Sequence, residues 1–331
     1  MGHEATETPQ STDTWTPQRP SWIWTDGRFV ERDEARVSLL AHGLHYGTGV
    51  FEGIRSYATA NGPRIFALGA HLERLRRGAE LLGLAVDVES LGWACEETLA
   101  RNGLDDAYIR PLVFHGAGSL ALDLGPQAQH TVVAAMAWQS HLGDAAAEHG
   151  VRATFSGLRR NSARSIPPLK LTGGYVNAIL AKRAAGAAGF DEAIFCDEHD
   201  RVCEATGENV FAVIDGEVIA VAHPDALPGI TRAAILELAG GAEGPLTRAE
   251  LLAADEVFLT GTSAEVTPVR EIDGTEFAIG PVTRHLQRAY ADLVRERRPR
   301  GDRQSKSADS NAARGVSTTA RERAALTAVA R

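Results

Sequence analysis

Strand-like and helix-like segments follow one another along this chain in an order that few architectures can accommodate. The segment SWIWTDGRFV at 21–30 is typical of two short strands around a turn, and FEGIRSYATANGPRIFAL at 51–68 of a hairpin turning at ANG. Apolar residues at helical spacing then predict helices at about 68–83 and 88–102. Two further strand-like runs, AYIRPLVF and HTVVAAMAW, complete a first domain that ends near residue 142.

In the second half, strands and helices alternate from VRATFSGL at residue 151 to the amphipathic segment GPVTRHLQRAYADLVRER. One face of that last segment carries its large apolar residues: Val282, Leu286, Tyr290 and Leu293. The whole pattern predicts an α/β (α+β) fold with two domains, 21–142 and 151–298, joined by a linker at 143–150. With 331 residues, 44% of them apolar, the chain is long enough to bury two cores.

Charge divides the chain into an acidic body and a basic tail. From residue 295 onward ten Lys and Arg residues stand against four Asp and Glu residues, although the whole chain carries a net charge of −9. Polar composition predicts disorder at 1–20 and 299–331. An acidic body and a tail without aromatic residues disfavour nucleic-acid binding. No apolar run approaches the roughly 18 residues of a membrane span, so we expect a cytoplasmic protein.

The three cysteines, Cys95, Cys196 and Cys203, are odd in number and lack CxxC spacing. Neither a disulfide framework nor a zinc site is therefore indicated, and we expect no metal.

Only three of the 34 basic residues are lysines, and one of them, Lys170, has unusual neighbours. It lies in IPPLKLTGGYVNA between two prolines and two glycines, which indicates a constrained loop. Unlike arginine, a lysine can be brought toward neutrality by burial and then act as a nucleophile or proton carrier. Lys182 lies in an alanine-rich helical run where a solvated outer face is expected, and Lys306 lies in the polar tail. Lys170 is thus the candidate catalytic residue, with an ordinary surface lysine as the alternative.

Three segments of the second half would together suit one phosphorylated, nitrogen-containing cofactor. Besides Lys170, Glu204 stands at a turn in CEATGENVF, and a helix opens at about Ile230 in LPGITRAAILELA. Free N–H groups at a helix start, together with the helix dipole, make an anion site. The turn in LTGTSAEVTPVR offers further N–H groups and hydroxyls. Each segment alone also has an ordinary explanation, since most turn glutamates are solvated and most helix starts bind only water.

Seven blocks follow one another between Trp22 and Arg297: LHYGTGVFEGIRSY, HLERL, YIRPLVF, KLTGGYVNA, CEATGENVF, LPGITR and GTSAEVTPVR. In order and spacing they resemble the branched-chain amino-acid aminotransferases, members of the class-IV (fold-type IV) pyridoxal-phosphate enzymes. The resemblance implies two α/β domains with pyridoxal 5′-phosphate at their interface. It also implies a homo-oligomer, either a dimer or a hexamer.

By this resemblance Lys170 binds the cofactor covalently and moves the proton between the substrate Cα and the cofactor. Glu204 would pair with the pyridine nitrogen, which keeps the ring electron-accepting. Tyr175 would hydrogen-bond the ring hydroxyl oxygen, and Asn209 belongs to the same cofactor-binding set. The phosphate would be held by a side chain, two backbone groups and a hydroxyl: Arg74, Ile230, Thr231 and Thr262. Arg74 lies off the main apolar stripe of its helix and would otherwise be taken for a solvated charge.

The resemblance also assigns a substrate pocket. Tyr108 and the N–H groups of Thr262 and Ser263 would hold the α-carboxylate, and Arg110 the second carboxylate of glutamate. Strand alternation places Tyr108 and Arg110 on one face. Aromatic residues would wall the apolar part of the pocket, with core packing as the alternative: Tyr46, Phe51 and Trp138. His141 stands where many bacterial members have tyrosine, and together with the divergent loop at 115–126 it is expected to alter substrate choice.

The implied activity is transamination of L-leucine, L-isoleucine and L-valine with 2-oxoglutarate, as in branched-chain amino-acid biosynthesis, giving branched-chain 2-oxo acids and L-glutamate. A specialised class-IV L-aminotransferase for another hydrophobic or non-proteinogenic amino acid stays open. FEGIRSY with Arg110 disfavours a lyase or D-amino-acid transaminase of the same fold. A dehydrogenase is disfavoured because GTGVFEG has GxGxxxG spacing and no βαβ unit around it.

Overall fold

Two β-sheets organise the chain, and each draws its strands from one half of the sequence. The structure, a computed structural model, describes residues 21–125, 127–140, 142–143 and 145–295. The predicted disordered segments, 1–20 and 299–331, lie outside the described residues, as does His141. The division into two domains stays a prediction.

The first sheet is antiparallel and has seven strands among the described residues. The strands are β1 (Trp22–Thr25), β2 (Arg28–Glu31), β3 (Gly49–Phe51), β4 (Ile54–Tyr57), β5 (Arg64–Ile65), β6 (Ala107–His115) and β7 (Gln129–Ala137). Their order is β2-β1-β7-β6-β4-β5, with β3 paired to β6. The helices of this half are α1 (His42–Tyr46), α2 (Leu68–Leu81) and α3 (Val88–Asn102). Both predicted hairpins and both predicted long helices are confirmed.

The limits of α3 follow from the residues that cap it. The carboxylate of Asp87 accepts the N–H groups of Glu89 and Ser90 at 3.1 and 3.2 Å. Gly103 ends the helix in the left-handed region, with φ of 61°. An aspartate before the first turn and a glycine after the last satisfy backbone groups that the helix leaves unpaired.

Strand β6 turns one face to the core of the first half and the other to half-buried surroundings. Ala107, Ile109 and Val113 are fully buried on one side. Tyr108 and Arg110 lie on the other side, as the two-residue period of a strand requires. The prediction that these two side chains share a face is confirmed.

The second sheet has nine strands in the described part of the chain. They are β8 (Val151–Phe155), β9 (Glu192–Cys196), β10 (Val202–Ala205), β11 (Asn209–Ile214), β12 (Glu217–Val221), β13 (Ala242–Gly244), β14 (Glu256–Gly261), β15 (Glu265–Ile272) and β16 (Thr275–Glu276). Their order is β10-β9-β8-β15-β14-β11-β12-β13, with β16 on β15. Helices α4 (Ala146–His149), α5 (Tyr175–Ala187), α6 (Ile230–Ala239), α7 (Arg248–Leu252) and α8 (Pro281–Arg295) accompany it. The predicted linker 143–150 thus contains the short helix α4.

Strand β11 is buried on both faces, which places two cores on opposite sides of this sheet. Val210 and Ala212 pack in one core, and Phe211 and Val213 in the other. Continuous apolar runs are typical of strands covered on both sides. The second sheet is therefore sandwiched, with α6 and α8 on the Phe211 side.

The amphipathic helix α8 is confirmed, but its buried stripe differs from the predicted one. The fully buried residues are Thr283, Leu286, Tyr290 and Val294. Val282 and Leu293, which were expected on this face, are only half-buried. Both sets keep steps of three or four residues, so helical spacing alone does not distinguish them, and packing against the second sheet decides which one is buried.

The segment that carries Lys170 docks on the first sheet through a contact between two glycines. The N–H of Gly173 and the hydroxyl of Thr172 both donate to the carbonyl of Gly47, at 3.1 and 2.6 Å. A Cβ on Gly47 would lie 2.5 Å from the Cα of Gly173, and Gly47 itself has φ of 65°. Nearby, the N–H of Phe51 donates to the carbonyl of Lys170 at 3.1 Å. Backbone contacts therefore fix where Lys170 stands.

None of the helices in the described residues is long and apolar enough to cross a membrane.

Candidate active site

A cavity of about 780 Å³ lies where the two halves of the chain meet. Residues from both sheets line it, and most of the predicted site residues are among them: Phe51, Arg74, Tyr108, Arg110, Lys170, Tyr175, Asn209, Ile230, Thr231, Thr262 and Ser263. Segments far apart in sequence thus converge on one space.

The amine of Lys170 contacts the phenol of Tyr175. Nζ donates to the Tyr175 hydroxyl at 2.7 Å and lies 5.0 Å from the centroid of the Phe51 ring. Tyr175 begins α5, so one helix start places the phenol five residues after the lysine. Lys170 is therefore held at both ends, by the backbone contact with β3 and by this hydrogen bond.

The charge state of Lys170 is set by competing neighbours. Burial lowers the pKa of its amine, but Tyr175 and the carboxylate of Glu52 outweigh burial, so the pKa is raised overall. In this arrangement the groups around the amine therefore favour the ammonium form, although burial alone favours the neutral amine.

Arg74 is buried in an ion-paired cluster that was not predicted from the sequence. Its Nε and Nη2 donate to the two carboxylate oxygens of Glu52 at 2.6 and 2.9 Å. His71, one turn earlier on α2, lies 2.8 Å from the same carboxylate through Nδ1. The third donor of Arg74, Nη1, reaches the carbonyl of Pro228 in the second half at 2.9 Å. The His71 and Arg74 spacing of i and i+3 was the available sequence signal.

The protonation states in this cluster follow from the same contacts. Burial raises the pKa of Glu52, but hydrogen bonds from Arg74 and His71 outweigh it and lower the pKa to about 2. Burial lowers the pKa of His71, and Glu52 only partly opposes that shift. A carboxylate, a guanidinium and a neutral imidazole therefore leave the cluster without net charge.

Glu204 is buried directly behind the cavity wall rather than on it. Its Oε1 accepts Nε of Arg160 at 2.6 Å, and its Oε2 accepts the N–H of Leu227 at 2.9 Å. Burial raises the pKa of Glu204 overall, although Arg160 opposes that shift. Asn209, which does line the cavity, donates to the carbonyl of Leu227 at 3.0 Å. Arg160 is a further site residue that sequence reasoning missed.

The start of α6 provides unpaired backbone donors. Gly229 precedes the helix and offers no capping side chain, so the first N–H groups, including those of Ile230 and Thr231, have no partner within the helix. A Cβ on Gly229 would lie 2.0 Å from Oδ1 of Asn209, so a side chain there would displace the Asn209 amide. Arg74 lies beside this helix start, because it donates to the carbonyl of Pro228, the residue before Gly229. A helix start beside a guanidinium can hold a phosphate group.

Tyr108 and Arg110 form a second polar point of the cavity. Nη2 of Arg110 donates to the Tyr108 hydroxyl at 3.0 Å, and the guanidinium lies 4.6 Å from the centroid of Phe51. A Cβ on Gly53 would lie 1.8 Å from the Tyr108 oxygen, so Gly53 makes room for this phenol. The predicted turn residues Thr262 and Ser263 line the same cavity.

Two predicted aromatic residues do not line the cavity. Tyr46 is 46% exposed on α1 and donates its hydroxyl to the carbonyl of Leu120 at 2.8 Å. The ring of Trp138 lies 3.9 Å from the guanidinium carbon of Arg55. A cation stacked on its ring holds Trp138 beside the cavity, next to Ala137 and Gln139, which do line it. His141 lies outside the described residues.

Lys182, which its helix predicted to be solvated, is only partly exposed. It lines the cavity, and its Nζ contacts the fully buried carboxylate of Glu192 at 2.5 Å. No local sequence pattern indicates this pair, because Glu192 is ten residues away on β9.

One group of potential metal ligands occurs among the described residues: Cys203, His223 and Asp225, with ligand atoms within 4.8 Å of one another. Both ring nitrogens of His223 already have partners within the protein. Nδ1 of His223 accepts the N–H of Asp225 at 3.2 Å, and Nε2 lies 3.2 Å from Oδ2 of Asp197. All three cysteines of the chain are free and buried. That the protein uses no metal stays a prediction.

Residues 49–272 match the family model for amino-transferase class IV. A branched-chain-amino-acid aminotransferase of Pseudomonas aeruginosa is 39% identical over 287 residues, covering 83% of this chain and 94% of that protein. The crystal structure of the Escherichia coli branched-chain amino acid aminotransferase has a TM-score of 0.81 at 37% identity, covering 83% of this chain and 95% of that one. A solved T.th. branched-chain amino acid aminotransferase with pyridoxamine 5′-phosphate gives 0.80 at 42% identity, covering 85% and 96%.

Replacing Glu52 tests the cluster around Arg74. At pH 7, Glu52→Gln should lower the free energy of unfolding by about 3–5 kcal/mol, because it leaves the buried Arg74 uncompensated. The lowered pKa of Glu52 means that its contribution is complete above about 4.5 and is lost as the pH falls toward 2. The difference between wild type and variant, measured by urea unfolding, should therefore shrink across that window.

The matched control is Glu73→Gln on α2, the helix that carries Arg74, and it removes an exposed ion pair to Arg76. That change should cost less than about 1 kcal/mol. Equal losses at the two positions would contradict a special role for Glu52.

Proposed function

This chain belongs to the class IV aminotransferases, and we propose that it transfers the amino group of branched-chain L-amino acids to 2-oxoglutarate. The observation that carries the proposal is the cavity in which a lysine amine, an uncapped helix start beside Arg74, and the Tyr108–Arg110 pair converge. Its cofactor is pyridoxal 5′-phosphate. When bound, that group accepts the electron pair of the substrate Cα–H bond into its ring.

The donor set of the cavity fits this cofactor. The N–H groups at Ile230 and Thr231, with Arg74, would hold the phosphate, and Thr262 would complete the set. Glu204 would hold the ring nitrogen, and Asn209 fixes the adjoining Leu227 carbonyl. A carboxylate beside the nitrogen favours its protonated form. Arg160 keeps Glu204 in place and opposes the effect of burial on its pKa.

Lys170 would hold the cofactor covalently and, once a substrate amine has replaced it, carry the proton to and from the substrate Cα. Carrying a proton requires an amine that can lose one. Tyr175 is one of the groups that raise the pKa of Lys170. If the Tyr175 phenol turns to the ring hydroxyl, that effect weakens, and burial again favours the neutral amine.

The substrate would be held by the polar point that Tyr108 and Arg110 form. Tyr108 and the N–H groups of Thr262 and Ser263 would bind the α-carboxylate. Arg110 would bind the second carboxylate of glutamate, as a fork of N–H donors suits a carboxylate. Phe51, between Lys170 and Arg110, offers the apolar surface for a branched side chain.

We further propose that the protein acts as a homo-oligomer, with a second copy seated on the α1 surface. That surface consists of exposed apolar side chains on α1 and two nearby segments: Leu39, Leu40, Leu44, Tyr46, Leu120 and Leu122. Patches of this kind mark interaction sites. Tyr46 is matched to the substrate pocket by family resemblance yet stands outside the cavity of its own chain. A second copy would bring Tyr46 to its partner's cavity.

A panel of amino donors with 2-oxoglutarate tests the activity. L-Leucine, L-isoleucine and L-valine should react with kcat/KM about tenfold or more above L-alanine, because an apolar pocket discriminates by buried methylenes. Glutamate formation is the readout. Turnover of a different apolar L-amino acid, without the branched-chain three, would favour the specialised alternative and contradict the proposal.

The control for this panel is Lys170→Arg, which keeps the charge and should abolish turnover. Borohydride reduction of the wild type should fix the cofactor on the peptide that contains Lys170. Recovery of the label on Lys182, which lines the same cavity, would reassign the catalytic lysine.

Replacing Glu204 tests the role of its carboxylate. Glu204→Gln should keep the cofactor but lower kcat on the order of a hundredfold, because a buried charge at the ring is lost. Absorbance of the bound cofactor checks retention, and steady-state kinetics check kcat. Glu271→Gln, which breaks the Arg152–Glu271 pair in the same sheet, is the control and should leave kcat unchanged. An unchanged kcat in Glu204→Gln would remove this residue from the mechanism.

Replacing Leu44 tests the oligomer. The wild type should sediment with at least twice the mass of one chain, and Leu44→Asp should shift it to the monomer and lower kcat/KM, because a charge on the α1 surface opposes apolar contact. Trp93→Ser, at an exposed apolar position on α3, should not change the mass. A monomeric, active wild type would contradict the proposal.

A further inference from the structure

A buried carboxylate, Glu192, stands behind the cavity without lining it. It is the first residue of β9 and is fully buried. Its Oε1 accepts the N–H of Ala193 at 2.7 Å and both the hydroxyl and the N–H of Thr206, at 2.5 and 3.3 Å. Its Oε2 contacts Nζ of Lys182 at 2.5 Å. Four donors converge on one carboxylate, which suits its ionised, acceptor-only form.

These contacts connect helix α5 to the turn between β10 and β11. Thr206, Gly207 and Glu208 form that turn and all line the cavity. The turn is tight, because the N–H of Ala205 donates to the carbonyl of Glu208 at 2.8 Å. Glu204 precedes it by two residues and Asn209 follows it directly. Whatever fixes Thr206 therefore fixes one cavity wall and the segments on both sides of it.

Burying the charge of Glu192 costs free energy of folding. Burial and the nearby carboxylate of Glu208 raise the pKa of Glu192, and the ion pair with Lys182 opposes them. Well-packed apolar residues in place of a buried ion pair are often neutral or stabilising for the fold. A carboxylate at position 192 can accept both the N–H and the hydroxyl of Thr206, which an apolar residue could not do. The charged residue therefore holds this part of the cavity wall in one geometry.

We propose that Glu192 is a positioning residue, which holds the Thr206–Glu208 turn in place from behind and thereby sets the wall of the cofactor cavity. Lys182 is the second member of this device, because it fixes the other carboxylate oxygen. The proposal rests on the proposed function only in taking the cavity as the cofactor site. Which amino acid is transaminated does not affect it.

Hydrogen–deuterium exchange of the holoenzyme, with cofactor affinity, tests this role. Glu192→Gln keeps the shape of the side chain but replaces one acceptor oxygen with an NH₂ group. That group cannot accept hydrogen bonds from the donors that now contact Glu192. Amides in the peptide 202–211 should exchange about tenfold faster, and the Kd for pyridoxal 5′-phosphate should rise about tenfold, as expected for one disrupted buried hydrogen-bond network. Exchange elsewhere in the chain should stay at wild-type rates.

Two variants complete the experiment. Glu271→Gln breaks an ion pair of similar length, Arg152 Nε to Glu271 at 2.6 Å, away from the turn, and should change neither readout. Lys182→Met removes the partly exposed end of the network and should shift both readouts in the same direction by a smaller factor. This variant decides the question if Glu192→Gln does not fold.

The proposal is overturned if exchange in 202–211 and the cofactor Kd stay at wild-type values in the folded variants. It is equally overturned if exchange rises evenly over the whole chain, because that result assigns Glu192 to general stability. Failure of the donor panel in the wild type, with the local exchange effect present, would reject only the amino-acid assignment.

Discussion

The ion pair between Glu52 and Arg74 is the interaction on which the site depends. Arg74 uses two donors on Glu52 and one on the carbonyl of Pro228, so one guanidinium ties the first sheet to the start of α6. A buried guanidinium without an anion would be strongly destabilising. Glu52 supplies the anion, and His71 fixes its orientation. The position of the donors that we propose for the phosphate therefore follows from a carboxylate in the other half of the chain.

A second constraint acts on Lys170 through the backbone. The lysine segment is placed by contacts of Gly47, Phe51 and Thr172 before its side chain meets Tyr175. Lys170 thus belongs to the second half of the chain, and backbone contacts with the first half fix the position of its segment. The proposed cofactor site at this junction draws on both sheets, because residues from both sheets line the one cavity.

Much of the fold could be predicted from periodicity, because short-range patterns determine strands and helices. The hairpins, α2, α3 and α8 all lie close to their predicted limits. Most of the residues that the resemblance named do line the cavity, because its motifs are local. What escaped prediction are ion pairs between distant segments: Glu52 with Arg74, Arg160 with Glu204, and Lys182 with Glu192. Such pairs depend on how the sheets meet, and no local pattern specifies that. Tyr46 and Trp138 do not line the cavity for the same reason: the residues they contact come from other segments.

The close approach of Gly47 to Gly173 has a consequence for how this protein can evolve. Most packed positions can exchange volume, so that a larger residue on one side is balanced by a smaller one on the other. Here both partners already lack a side chain, and a Cβ on Gly47 would meet the Cα of Gly173. No second substitution can relieve that clash. Gly47 should therefore tolerate no other residue in a mutational library, whereas the exposed surface of α5 accepts many.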